Sequence, residues 1–282
     1  MKWKRGQHSS NVEDRRGQSG GGMGGLGRMG GIPMGGKIGI PGLILLVAVI
    51  VLSNSLGGGD EGAPSADPQA DEKLKDFMEF VLDDVQGFWA DTFRQNGKPY
   101  REAALVLFEG RTDSDCGGAS SDIGPHYCPA DQNVYLDLGF FRELKARFGA
   151  PGDFAQAYVL AHEVGHHVQN LLGTMERVER LSRSEPGREN DLSIRLELQA
   201  DCYAGAWGFT TYDRDILDSG DLEEGLKAAA AVGDDRIQKQ STGRVNPETW
   251  THGSSEQRVR WFKRGFADGD PNDCDTFSAE SL

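Results

Sequence analysis

Residues 162–167 read His-Glu-Val-Gly-His-His. On a helix, side chains four positions apart stack on one face, so His162 and His166 can offer two imidazole nitrogens to a single metal ion. Glu163 sits one step round the same turn. Its carboxylate can reach a water on that ion more easily than the ion itself. Two histidine ligands with an adjacent carboxylate base are the groups that zinc-assisted hydrolysis needs.

Catalytic zinc takes three protein ligands and keeps a fourth position for water. The third is expected from Glu197-Leu198-Gln199-Ala200-Asp201, inside a Leu/Ala/Glu-rich segment, Glu189 to Tyr212, with apolar residues at helical spacing. Glu197 and Asp201 are also four apart, so both carboxylates face one way. Glu197 would be a ligand. Asp201 could accept the free N–H of a ligand histidine and so fix its tautomer. The competing reading is a solvated acidic face. Ala200, Ala204 and Trp207 imply a buried helix and favour the ligand reading.

The chain here resembles the bacterial neutral zinc metallopeptidases, a gluzincin-type family. The resemblance rests on HEVGHH and ELQADCYAGAW, with support from Tyr127-Cys128-Pro129-Ala130-Asp131, Val134-Tyr135-Leu136-Asp137-Leu138 and His252-Gly253-Ser254-Ser255-Glu256-Gln257-Arg258. It implies one Zn2+ per chain held by His162, His166 and Glu197, with Glu163 as the catalytic base. It also raises His252 as a donor to the oxyanion of a tetrahedral intermediate, against the plainer reading of a loop histidine at a helix entrance. The substrate class it implies is a peptide or protein, and it names no particular one.

The elements that must position these groups read as α+β: a mostly helical, zincin-like domain with a small sheet, preceded by one transmembrane helix. A core-facing stripe of Leu74, Phe77, Val81, Val85 and Trp89 predicts a helix over Asp71 to Gln95. Ala104 to Phe108 and Asn133 to Leu138 read as strands and Phe140 to Phe148 as a short helix. Asp153 is a candidate N-cap for the motif helix and Gly173 a candidate terminator. Further helices are expected at Glu189 to Tyr212, Leu222 to Ile237 and Ser255 to Ala267. Val134 to Leu138 is a candidate edge strand for an extended peptide, with a central core strand as the alternative. His167 points about 100° away from His166 and is read as structural. Ser254 or Ser255 with Glu256 and Gln257 resembles helix capping, not a serine nucleophile. His126, in a Gly-Pro-His-Tyr-Cys turn, has no evident partner.

The domain organisation follows from composition. Residues 1–37 hold twelve glycines, four methionines and seven Lys/Arg, without apolar periodicity. They read as a disordered cytoplasmic tail. Residues 38–56 form the candidate membrane anchor, built on the unbroken apolar run Leu43 to Leu52. Residues 57–70 read as a linker, 71–275 as the metallopeptidase domain and 276–282 as a C-terminal tail. Basic residues before the anchor and acidic residues after it predict a single-pass membrane protein with a cytoplasmic N-terminus and an extracytoplasmic domain. The net charge of −14 argues against a nucleic-acid partner. Four cysteines on the oxidising side of a membrane suggest two disulfides. Of the three possible pairings, Cys116–Cys128 as a local clasp with Cys202–Cys274 is preferred. The reading is a membrane-anchored zinc metallopeptidase. The alternative is a catalytically silent, zinc-binding interaction or chaperone-like protein.

Overall fold

The computed structural model describes residues 1–6, 9–18, 67–149 and 152–282. Strand β1 (Val12–Asp14) already departs from the tail expected over residues 1–37. It pairs in parallel with β2 (Ala104–Phe108), while Trp3 packs on the Phe77 and Phe80 rings. A three-residue strand completed by a distant partner has no periodicity of its own, and the glycines that follow it dominate the composition of the segment. The expected anchor at 38–56 and most of the expected linker lie outside the described residues. Among the described residues, no helix is long and apolar enough to cross a membrane.

Helix α1 (Pro68–Gln95) begins inside the expected linker. Asp67 caps it by accepting from the Gln69 amide, and Pro68 supplies a pre-set φ at the first turn. Of the predicted stripe, Phe77, Val81, Val85 and Trp89 are buried and Leu74 packs partly buried against the same core. After β2 comes a hairpin that no sequence pattern announced, β3 (Arg111–Ser114) and β4 (Gly117–Ser120), then β5 (His126–Cys128) and β6 (Asn133–Asp137). The main sheet runs β1-β2-β6-β5, with β5 antiparallel to β6. The candidate edge strand at Val134 is therefore internal, and β1 and β5 are the edges. Alternation explains why β6 reads as an unbroken apolar run. Leu105, Leu107, Val134 and Leu136 face the main core, while Val106, Phe108 and Tyr135 face a smaller cluster with Ala119 and Cys128. Both faces of these strands are covered.

The remaining elements are helical: α2 (Gly139–Phe148), α3 (Asp153–Leu171), α4 (Thr174–Ser184), α5 (Glu189–Asp213), α6 (Asp221–Ala231), α7 (Asp234–Thr242) and α8 (Ser255–Phe266). The N-cap of α3 is Gly152, without a side-chain cap. Asp153, the expected cap, instead has its carboxylate 2.7 Å from the Met1 amine. Gly173 does mark the end of α3, at φ 76° with its N–H on the Asn170 carbonyl. The helix expected over Leu222 to Ile237 is split at Val232 and Gly233. A Cβ on Gly233 would lie 2.3 Å from the Ser255 amide, so only glycine allows α7 to start against α8.

Helix α3 lies at the centre, against α1, α5 and α6, with α5 crossing α8. The crossings are close because small residues stand at them. A Cβ on Gly205 or Gly265 would run into the backbone of the other helix, at Phe262 and Cys202 respectively, and one on Gly165 would meet Ala200 at 3.2 Å. Both disulfides are present as paired from the sequence, Cys116–Cys128 and Cys202–Cys274. The second spans 72 residues, and in the chain-entropy view a loop of that size contributes about 4 kcal/mol by restricting the unfolded chain. It ties the C-terminal residues to α5, where Arg195 donates to the Thr276 and Ala279 carbonyls. The expected free tail at 276–282 is in that part docked.

Candidate metal centre

Helix α3 presents His162 and His166 one turn apart, and the Gly165–Ala200 crossing brings α5 near enough for Glu197 to reach them. His162 Nε2 and His166 Nε2 are 3.1 Å apart. Oxygens of Glu197 lie 3.2 Å from the first and 3.5 Å from the second. Corners of a tetrahedron whose centre is about 2.0–2.1 Å away, the usual Zn–N and Zn–O distance, are separated by about 3.3 Å. The three side chains are buried together as a potential metal-holding group, and Glu197 Oε1 has no hydrogen-bond partner.

The tautomers point the same way. The Nδ1–H of His162 donates to Asp201 Oδ1 at 2.9 Å. The Nδ1–H of His166 donates to Gln169 Oε1 at 2.8 Å, because the Gln169 amide nitrogen is engaged by the Leu196 carbonyl and Gln199 Oε1. With each Nδ1 engaged, the two Nε2 atoms face one another at 3.1 Å; a proton on His162 bridges them in the metal-free protein, and a metal ion would take that proton's place. The residues present fit zinc.

Asp201 does more than support one histidine. It forms a two-pronged pair with Arg258, through Nε at 2.8 Å and Nη2 at 2.9 Å, and accepts from Tyr158 at 2.5 Å. Arg258 also donates to the Val232 carbonyl and approaches Glu197 Oε2 to 3.7 Å. It is 1 % exposed. The pKa pattern of these groups reflects burial against charge. For His162, burial opposes protonation, but the Asp201 charge and hydrogen bonds to Asp201 and Glu197 outweigh it and raise the pKa to about 9. His166 is lowered to about 4, chiefly by burial. Glu197 lies far below the usual carboxylate range: burial pushes upward, and the His162 hydrogen bond with the nearby imidazoles more than offsets it.

Glu163 is 2 % exposed and its Oε2 has no partner. Burial first, with the Glu197 charge adding, lifts its pKa to about 7, against the stabilising His162 charge and the Tyr127 backbone amide. That amide places edge strand β5 beside the carboxylate. His252 is held by Asp234, which accepts from His252 Nδ1 at 3.0 Å and from the backbone amides of Thr251, His252 and Gly253. The ring is close enough to Glu197 to help lower that carboxylate's pKa. His167 bridges the Tyr127 hydroxyl and the Arg101 carbonyl and takes no part in the metal group, as expected. His126 does have partners: its Nδ1 meets the Gly124 carbonyl and its ring stacks on Tyr135. Ser254 and Gln257 form a capping box on α8, as their pattern suggested.

The sequence reading missed Tyr158, Gln169, Asp234 and Arg258. Only Gln169, three residues after His166, had a local signal, since that spacing puts an amide next to the ring.

The family described as "Putative neutral zinc metallopeptidase" matches residues 1–277. The chain belongs to that family. It is 48 % identical over 290 residues to the uncharacterized protein YpfJ of Escherichia coli (strain K12), covering 98 % of this chain and 99 % of that one. Over 194 residues, 65 % of each chain, it is 50 % identical to the uncharacterized proteins Rv2575 of Mycobacterium tuberculosis (strain H37Rv) and Mb2605 of Mycobacterium bovis. No solved structure matches.

Proposed function

We propose that the chain is a zinc-dependent peptidase in which His162, His166 and Glu197 hold one zinc ion and Glu163 is the general base. The observation that carries this reading is the unpartnered Glu163 oxygen beside a tetrahedrally spaced His/His/Glu group. A closed structural site has no use for a buried base with a pKa near neutrality. When bound, zinc supplies a polarised water of lowered pKa and an electrophile for the scissile carbonyl.

The chain's own residues supply the rest. Glu163 takes the proton of the attacking water and passes it to the leaving amine, and a pKa near the working pH suits both transfers. Asp201, clamped by Arg258, holds His162 in the tautomer that faces the ion, and Gln169 does so for His166. Asp234 fixes the His252 ring through Nδ1, and the ring in its protonated form presents Nε2–H to the developing oxyanion. An extended peptide would add to edge strand β5, next to Glu163, so the edge role expected of β6 moves one strand outward.

Two disulfides support a place on the oxidising side of a membrane.

The test is zinc content together with peptide-library hydrolysis, for wild type and Glu163→Gln. Retained zinc with a rate lower by about 10²- to 10⁴-fold supports the base assignment. Equal rates would remove Glu163 from the chemistry. No hydrolysis by either protein, with zinc bound, would favour the zinc-bearing interaction protein.

A further inference from the structure

The metal group does not end at its ligands. Behind His166 runs a chain of amides with one direction. The Cys274 carbonyl can only accept, and Gln199 Nε2 donates to it at 3.0 Å. That leaves Gln199 Oε1 facing Gln169, whose Nε2 donates to it at 3.1 Å and to the Leu196 carbonyl at 2.7 Å. Gln169 Oε1 is then the only side-chain atom left for His166, which must donate from Nδ1. Gln169 is completely buried and Gln199 nearly so, so water cannot easily replace a lost partner. The acceptor at the far end is held by covalent chemistry. Cys274 is bonded to Cys202, the residue after Asp201 on α5. The segment beyond it is strapped by Arg195 on the Thr276 carbonyl and by the Thr276 hydroxyl on the Arg195 carbonyl.

We infer that Gln169 and Gln199 are positioning residues for the metal ligand His166, and that the Cys202–Cys274 disulfide, by holding the Cys274 carbonyl against Gln199, couples the redox state of the chain to its zinc affinity. The inference deepens the zinc-site reading above and rests on it. Reduction breaks the S–S bond to two thiols, taking two electrons and two protons from two molecules of an external thiol such as glutathione, which leave joined as their own disulfide. The Cys274 turn is then free to leave α5, and Gln199 loses the acceptor that sets its orientation. His166 can then adopt the other tautomer, with Nε2–H facing the ion, which does not bind. A chain that is reduced before export would hold zinc weakly and tighten its grip on oxidation. The Leu196 carbonyl also orients Gln169, so loss of Gln199 or of the disulfide should have a smaller effect than loss of Gln169.

The experiment compares full-length wild type with Gln169→Leu, Gln199→Leu, Cys202→Ser/Cys274→Ser, and Gln199→Leu combined with both serines. Zinc affinity is read by competition with a chromophoric chelator. The His166 tautomer is read in metal-free protein from imidazole 15N shifts. Gln169→Leu should weaken zinc binding by roughly 10- to 100-fold, the range for groups that orient metal ligands, and the next two variants by about tenfold, the low end of that range. The combined variant should be no weaker than Gln199→Leu, because both changes break one chain. Wild-type affinity in Gln199→Leu, or losses that multiply in the combined variant, would overturn the coupling. If the serine variant does not fold, Gln199→Leu and Gln169→Leu still decide on the two glutamines. If wild type binds no zinc, the metal reading fails by itself. The 15N spectrum then judges the chain of amides alone: a His166 Nδ1–H that persists in Gln169→Leu refutes it.

Discussion

Replacing Arg258 by methionine tests whether the ion network behind the metal group is a single energetic unit. The guanidinium is 1 % exposed and makes two hydrogen bonds to Asp201 and one to the Val232 carbonyl. Methionine fills much of the volume but leaves the Asp201 carboxylate, which is 0 % exposed, with only His162 and Tyr158 as donors. Breaking a buried ion pair from one side costs about 3–5 kcal/mol, since an uncompensated charge stays inside. At roughly 2–4 °C per kcal/mol for a domain of this size, the melting temperature of the chelator-treated protein should fall by about 6–20 °C. The double variant Arg258→Met/Asp201→Leu removes both charges and should regain most of that stability, because apolar replacement of a whole buried pair is close to neutral. It should not regain zinc affinity. Without the Asp201 carboxylate, His162 has no acceptor for Nδ1–H, and a roughly 10- to 100-fold weakening is expected. Thermal melts with and without chelator, alongside a zinc competition titration, separate the two effects. A melting temperature in Arg258→Met within a degree of wild type would show that the pair is solvated in practice and that the reasoning from burial is wrong. Full zinc affinity in the double variant would show that Asp201 does not orient His162.

Glu197→Ala leaves two histidines and should bring zinc content well below one per chain after dialysis, measured by atomic emission; a full complement would exclude Glu197 as a ligand. Zinc binding should also depend on pH in a definite direction. The pKa of His162 is raised from 6.5 to about 9 by Asp201 and Glu197 against the opposing effect of burial, so its protonated form stabilises the metal-free fold. That contribution is complete below about 6.5 and is lost as pH rises through about 9. Zinc must displace the same proton, so its affinity should rise with pH across this window by about tenfold per unit, as read by chelator competition at fixed ionic strength. Affinity that is flat from pH 6.5 to 9 would mean that His162 carries no proton there.

What was legible in the sequence was whatever repeats locally. His162, Glu163 and His166 share one turn of α3, Glu197 and Asp201 share one turn of α5, and helical spacing alone fixes which face they share. The α1 stripe and the β2 and β6 runs were visible for the same reason. The cysteine pairing was legible because the short spacing of Cys116 and Cys128 leaves one sensible partner for each remaining cysteine. Strand β1 was not legible, because three residues carry no period and their pairing with β2 depends on a partner roughly ninety positions away. The order β1-β2-β6-β5 was hidden too, since a strand covered on both faces looks alike at the edge and in the middle. Arg258 shows the limit most clearly. It sat in a quoted motif, yet nothing in His-Gly-Ser-Ser-Glu-Gln-Arg says that its seventh residue turns inward. That follows from the α5–α8 crossing, where Gly205 and Gly265 let two backbones approach so closely that a long cation on α8 reaches the carboxylate on α5. The glycines are the cause and Arg258 the consequence, and the link between them exists only in three dimensions.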